Sequence, residues 1–249
     1  MKVVFLAAGK GRRLLNDIDC PHKSLVSIGD QTLLENLIEC CLFADIKDFL
    51  VLVGHSKDHI VEEFNKTYTS EFQVYFVENR LFDQTNNLYS LFCAKDILQG
   101  EEFLLINADL VADKRIIKGI LMDSAQSSIA LDCSRKSPID SPGSIVKGNR
   151  ILDLGRHINF KDSEGFAIGI YKFGSKLSSI FFKEAEKLLE KDKNAGFHDP
   201  LCSLFTKVLI NPYRIGNLKW TDIDVYSDIE KAKNIQIEIK LDQDDSSNL

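Results

Sequence analysis

Two alternating textures run along the first half of the chain. Val3 to Leu6, Phe49 to Val53, Gln73 to Val77 and Phe103 to Ile106 are short apolar runs of strand length. Between them, Leu33 to Leu42, His59 to Phe64 and Asn87 to Leu98 carry apolar residues at helical spacing. Strands alternating with helices predict right-handed βαβ crossovers and an α/β fold whose mainly parallel sheet is covered on both faces. Ligands in such a sheet sit beyond the carboxyl ends of the strands. After Asp109 the texture changes. Ser127 to Asp132, Ser144 to Lys147 and Phe166 to Phe173 read as strands, with Asn149-Arg150 as a hairpin turn. Ser175 to Lys191 and Leu201 to Val208 read as amphipathic helices. These patterns predict one domain over residues 1–241, with its two textures dividing it into halves at 1–110 and 111–230, and a polar, frayed tail at 242–249.

Composition narrows the class. At 249 residues and 44% hydrophobic, the chain can bury a large core and is not disordered. A formal net charge of −6 argues against a general nucleic-acid binder, which needs a basic surface to displace counterions. Cys20, Cys40, Cys41, Cys93, Cys133 and Cys202 are scattered, without a C-x-x-C pair, and read as reduced thiols, mostly core filler. The opening Met1 to Leu6 is too short for a signal peptide and no stretch is long enough to span a bilayer, so a cytoplasmic protein that binds neither membrane nor nucleic acid is expected.

The first strand runs straight into Ala7-Ala8-Gly9-Lys10-Gly11-Arg12-Arg13-Leu14, and Pro21-His22-Lys23-Ser24-Leu25 follows. Glycines at 9 and 11 suit close backbone approach or positive φ, and Arg13 and Lys23 supply charge for phosphate oxygens. The spacing fits neither the dinucleotide fingerprint nor a P-loop. A tight strand-to-helix turn with solvated arginines would look the same. Among the carboxylates, Asp109 stands at a strand end, and alternation in Trp220-Thr221-Asp222-Ile223-Asp224 puts Asp222 and Asp224 on one side of an extended segment. Such residues are equally at home capping turns or on a solvated face.

Leu6-Ala7-Ala8-Gly9-x-Gly11-x-Arg13-Leu14, Pro-x-Lys23-x-Leu25 and Thr32-Leu33-Leu34-Glu35 together resemble the amino-terminal signature of the sugar-nucleotidyltransferase superfamily. One departure is His22, which separates a proline and lysine that are adjacent in many members. Asn86-Asn87-x-Tyr89-Ser90-Leu91 is similar to the branch of phosphocholine cytidylyltransferase and related CTP enzymes. The resemblance implies a Rossmann-like three-layer sandwich of the nucleotide-diphospho-sugar transferase type, with residues 1–110 as its nucleotide-binding half and 111–230 as its acceptor-binding half. It implies transfer of a nucleoside monophosphate, CMP from CTP in the leading reading, to a small phosphorylated alcohol, amine or phosphonate, with release of pyrophosphate.

By the same resemblance, Arg13 and Lys23 are the catalytic cations. Leu6, Ala7, Ala8, Gly9, Gly11, Asn86, Asn87 and Ser90 join them around the nucleotide, and Asp109 and Asp224 hold Mg²⁺, with Asp222 in reserve. Glu164, Tyr171, Asp199 and Trp220, with His198, are candidates for the acceptor, because carboxylates and aromatic faces attract a cationic amine. Each has an ordinary structural reading as core aromatic, solvated turn or helix start. A hexose-1-phosphate nucleotidyltransferase using UTP, GTP or dTTP is the enzymatic alternative, and a nucleotide sensor the non-enzymatic one.

Overall fold

The computed structural model describes residues 1–67, 72–134 and 140–247, with side chains to 242. Its first half is built as the periodicity predicts. Strand β1 (Lys2–Ala7) leads through a glycine loop into the short α1 (Arg12–Leu15) and a 3-10 turn at Lys23–Leu25. Then α2 (Leu33–Phe43), β2 (Asp48–Val53), α3 (Lys57–Thr67) and β3 (Gln73–Glu78) follow. The predicted helix from Asn87 is broken at Cys93-Ala94 into α4 (Asn87–Phe92) and α5 (Lys95–Leu98), before β4 (Phe103–Asn107). Thr32 and Glu35 form a capping box: the Thr32 hydroxyl accepts the Glu35 amide, and the Glu35 carboxylate accepts the Thr32 amide. The Thr-x-x-Glu part of the amino-terminal signature therefore sets where α2 starts.

The second half adds β5 (Leu110–Ala112), α6 (Lys114–Met122), β6 (Ser128–Asp132), the hairpin β7 (Gly143–Lys147) and β8 (Arg150–Gly155), and β9 (Gly165–Phe173). The hairpin turns one residue earlier than expected, at Gly148-Asn149, where Gly148 takes φ +61° and Arg150 opens β8. After α7 (Ser175–Leu189), α8 occupies only His198–Cys202. The expected helix Leu201–Val208 is corrected: its apolar residues pack as successive turns under the sheet, and the helix begins at His198. The chain ends in β10 (Asn211–Arg214), β11 (Trp220–Asp222) and α9 (Tyr226–Ser247), so helical backbone continues into the expected tail.

Among the described residues the main sheet has nine strands, with the continuous order β10-β6-β9-β4-β1-β2-β3. β4, β1, β2 and β3 are mutually parallel, as are β10 and β6; β9 lies antiparallel between β4 and β6. Alternation along β1 feeds two cores. Val4 faces a cluster with Leu88, Leu91 and Phe181; Val3, Phe5 and Ala7 face another with Leu37, Ile38 and Ile117. A third, smaller cluster joins distant parts of the chain: Leu14, Val26 and Leu33 pack against Val111, Ile223 and Ala232. It clamps the start of the chain to α9. The cysteines are all free, as expected; Cys40 and Cys41 are core filler, but Cys93 and Cys133 are exposed. No helix among the described residues is long and apolar enough to cross a membrane.

Candidate active site

The β1 and β4 ends supply one wall of the site. Ala108 donates its amide to the Leu6 carbonyl, so Asp109 emerges beside the glycine loop. The opposite wall comes from a separate two-stranded ladder, β5 with β11, in which Asp222 pairs with Leu110, and the Ile223 amide bonds the Asp109 carbonyl at 3.0 Å. That register brings Asp222 and Asp224 to Asp109. Asp228, in the first turn of α9, accepts the Asp224 and Val225 amides and fixes the end of the segment.

Lys23 reaches into this junction. Its Nζ lies 2.8 Å from Asp109 Oδ2 and 2.6 Å from Asp224 Oδ1, while Arg13 Nη2 holds the other Asp224 oxygen at 2.9 Å. Burial alone would lower the Lys23 pKa, but the two carboxylates outweigh it and raise it. For Asp224, burial works against ionisation and the Lys23 and Arg13 contacts overcome it, so its carboxyl is held below the usual range. Asp222 behaves oppositely: burial first, then the charges of Asp109 and Asp224, push it up. Asp224 and Asp222 are therefore shifted in opposite directions, and Lys23 binds Asp224 and Asp109, the two that the sequence singles out.

His22 is a residue whose role the sequence pattern did not reveal. It is 3% exposed, its Nδ1 accepts the Ser24 amide at 3.1 Å, and its Nε2 is 3.0 Å from the Gly9 carbonyl. With Nδ1 accepting, the proton resides on Nε2 and is donated to Gly9. Burial leads the causes that lower its pKa to about 4, so the ring is neutral near pH 7. The buried histidine braces the glycine loop and leaves Lys23 aimed at the carboxylates. Its Ser24 bonds close the turn from which Lys23 projects.

Gly11 meets the expectation of positive φ, at +56°; a Cβ there would also lie 3.0 Å from Lys23 Cβ. Gly9 does not need glycine for positive φ, and a Cβ on it would meet nothing within 4 Å. Gly9 faces the open pocket instead.

Three adjoining pockets meet at Asp109. The first, about 390 Å³, is lined by Leu6, Ala7, Gly9, Gly11, Arg13 and Lys23 with Asp224. The second, about 400 Å³, takes in Ala8, Asn86, Asn87 and Ser90. Within it, Ser90 accepts a hydrogen bond from the buried Asn79, Asn86 caps α4, and Asn87 Oδ1 accepts the Phe197 amide. The third, about 520 Å³, is lined by Tyr171, His198, Asp199 and Trp220 as well as Arg13, Asp109, Asp222 and Asp224.

The third pocket has a neutral polar floor. The Tyr171 hydroxyl is 2.8 Å from His198 Nε2, and burial lowers the His198 pKa to about 4 and raises that of Tyr171. Trp220 donates to Asp132, and Asp199 accepts the Gly196 amide. Glu164 falls outside these pockets: it accepts the Val146 amide on the β7 hairpin, so its carboxylate serves the strand edge. Gly169 and Arg156 line the third pocket and were not singled out from sequence. Gly169 occupies a bulge of β9, at φ +88°, where a Cβ would lie 2.8 Å from Asn107 Nδ2. A glycine inside a strand-like run was the available signal.

A glycine loop at a strand end, two cations and converging carboxylates on a mainly parallel sheet define a nucleotidyltransferase. The chain belongs to the MobA-like NTP transferase domain family, whose profile matches residues 3–139. It is 27% identical to the CTP:phosphoglutamine cytidylyltransferase of Campylobacter jejuni, over 96% of this chain and 100% of that protein. It is 25% identical to the bifunctional IPC transferase and DIPP synthase of Aquifex aeolicus, over 92% of this chain but 50% of that longer protein. Its fold matches the inositol-1-phosphate CTP transferase from T. maritima with a TM-score of 0.81 at 19% identity, covering 96% of each chain.

Proposed function

We propose that the chain transfers CMP from CTP to a small phosphorylated acceptor and releases pyrophosphate. The observation that carries the reading is Lys23 held between Asp109 and Asp224 at the mouth of the glycine loop. Similarity over 96% of the chain to a CTP:phosphoglutamine cytidylyltransferase favours CTP as the donor. In this reaction an oxygen of the acceptor's phosphate or phosphonate attacks the α-phosphorus, forming a new P–O bond, while the bond to pyrophosphate breaks. Charge accumulates on phosphate oxygens, so the protein's task is alignment and neutralisation.

In this reading the pocket of Gly9, Gly11 and Arg13 takes the triphosphate, and the Asn86–Ser90 pocket takes the nucleoside. Lys23 and Arg13 neutralise the phosphates, and the larger pocket beside Tyr171, Asp199 and Trp220 takes the acceptor.

Asp109 and Asp224 fit a magnesium site completed by substrate. No cluster of three or more His, Cys, Asp or Glu suited to a metal stands among the described residues. Mg²⁺ commonly takes only one or two carboxylates, with phosphate oxygens and water completing its shell. When bound it supplies charge neutralisation at the phosphates. Lys23 must yield its hold on both carboxylates for them to serve as ligands.

The test is a matrix of CTP, UTP, GTP, ATP and dTTP against phosphorylated amines, polyols, amino acids, phosphonates and hexose 1-phosphates. Pyrophosphate release is followed and products are identified by mass. CTP is expected to give on the order of tenfold or more higher kcat/KM than the other nucleotides, a difference that lost base hydrogen bonds readily supply. Preference for UTP or dTTP with a hexose 1-phosphate establishes the alternative instead. Nucleotide binding without pyrophosphate release from any pair leaves a sensor.

A further inference from the structure

Two guanidiniums line the acceptor pocket, and they converge on one carboxylate. Asp140 Oδ1 lies 3.3 Å from Arg156 Nε, while its Oδ2 lies 3.8 Å from Arg13 Nη1. The Arg156 and Asp140 side chains are 67% and 62% exposed, so the pair is weakly held and replaceable by a ligand. Arg13 is already bound more closely, at 2.9 Å, by Asp224 on the nucleotide side. Among the described residues Arg156 has no such second carboxylate, and it stands on the acceptor side, at the end of β8. Its positive field reaches the pocket floor, where after burial it is the next cause holding His198 neutral.

We propose that Arg156 receives a carboxylate of the acceptor, where Asp140 sits in the ligand-free chain, and that the preferred acceptors therefore carry a carboxylate in addition to their phosphate. This deepens the nucleotidyltransferase reading and rests on it. A guanidinium presents a planar fork that matches carboxylate oxygens. Arg13 stands between the two positions: its Nη1 faces Asp140, and its Nη2 faces Asp224, which Lys23 also binds and beside which the reacting phosphate belongs. A cavity of about 520 Å³ leaves room for both anionic groups.

Matched acceptors test this: O-phosphoserine against phosphoethanolamine, and 3-phosphoglycerate against glycerol 3-phosphate. Each pair differs at the carboxylate. Affinity is measured calorimetrically on protein loaded with Mg²⁺ and an uncleavable α,β-methylene analogue of CTP, so the readout does not depend on turnover. Wild type is expected to bind the carboxylated member on the order of tenfold or more tightly, the size of a charged hydrogen bond. Arg156→Gln should erase that difference by weakening the carboxylated member alone, and Arg156→Lys should keep part of it. Equal binding of both members by wild type overturns the proposal. So does an equal loss for both members in Arg156→Gln, which would assign Arg156 to the phosphate. Failure to release pyrophosphate in the substrate matrix counts against the parent reading, while this binding comparison still decides the role of Arg156.

Discussion

His22 shows how one buried side chain can hold a loop in place. A buried imidazole that accepts the Ser24 amide and donates to the Gly9 carbonyl must stay neutral, and its pKa falls from 6.5 to about 4. The folded pKa lies below the unfolded one, so the stability it contributes is fully present above about pH 6.5 and is lost as pH falls through 4. His198 shifts in the same direction and acts in the same window. Urea midpoints followed from pH 8 to pH 4 should therefore hold steady and then decline. His22→Gln keeps an amide donor in reach of Gly9 without titrating in this range, so its acid limb should be shallower, by at most about 1.4 kcal/mol per pH unit. An unchanged slope in that variant would remove His22 as a source of the acid sensitivity.

At the scale of elements, β9 is the piece with an uncommon local demand. It is buried along its whole length and lies between β4 and β6, yet its pairing with β6 shifts between Ile129 and Leu131, with Gly169 in the left-handed region. The bulge turns the strand next to Tyr171 at the pocket lined by Tyr171, His198 and Trp220. Two glycines separate the backbone cost from the steric cost. A Cβ added at Gly148, where φ is +61°, would meet nothing within 4 Å, whereas one added at Gly169 would meet Asn107 Nδ2 at 2.8 Å. Gly148→Ala should cost about 1 kcal/mol and Gly169→Ala more, toward about 3 kcal/mol, because the second must also displace Asn107. Urea midpoints of both variants check the order; equal losses would mean that Asn107 gives way freely.

Across the whole molecule, the site joins the two ends of the chain. Lys23 lies 86 positions from Asp109 and 201 from Asp224, and the small apolar cluster under α9 holds them together. The Lys23→Ala and Arg13→Ala variants should remain folded and lose on the order of a hundredfold or more in kcat, the usual cost of a missing electrostatic group. Lys23→Ala should in addition bind Mg²⁺ more tightly without nucleotide, because the ammonium no longer occupies both carboxylates; calorimetry reads this separately from turnover. Asp109→Asn and Asp224→Asn should shift the magnesium dependence of turnover to higher concentration. If Asp222→Asn shifts it and Asp224→Asn does not, the second ligand is Asp222.

What was legible along the chain is what local chemistry can encode. Short apolar runs marked β1 to β4 and period-three-to-four spacing marked the helices between them, because a sheet covered on both faces leaves continuous apolar runs and burial of one helix face leaves a repeat that can be counted. The glycine loop, Lys23, Asp109 and Asp224 were legible because their residue types carry a family pattern. Other features depend on partners far along the chain. The β5–β11 register that gathers the carboxylates involves strands of three residues each, too short to show a period. The Leu201–Val208 segment has helical spacing but resolves into turns because packing beneath the sheet, rather than propensity, decides its shape. Glu164 was a plausible pocket residue until the hairpin turned its carboxylate to a strand amide. Which carboxylates Lys23 joins, that His22 braces Gly9, and that Arg13 and Arg156 converge on Asp140 were settled by folding alone, since each is a meeting of side chains that no local spacing specifies.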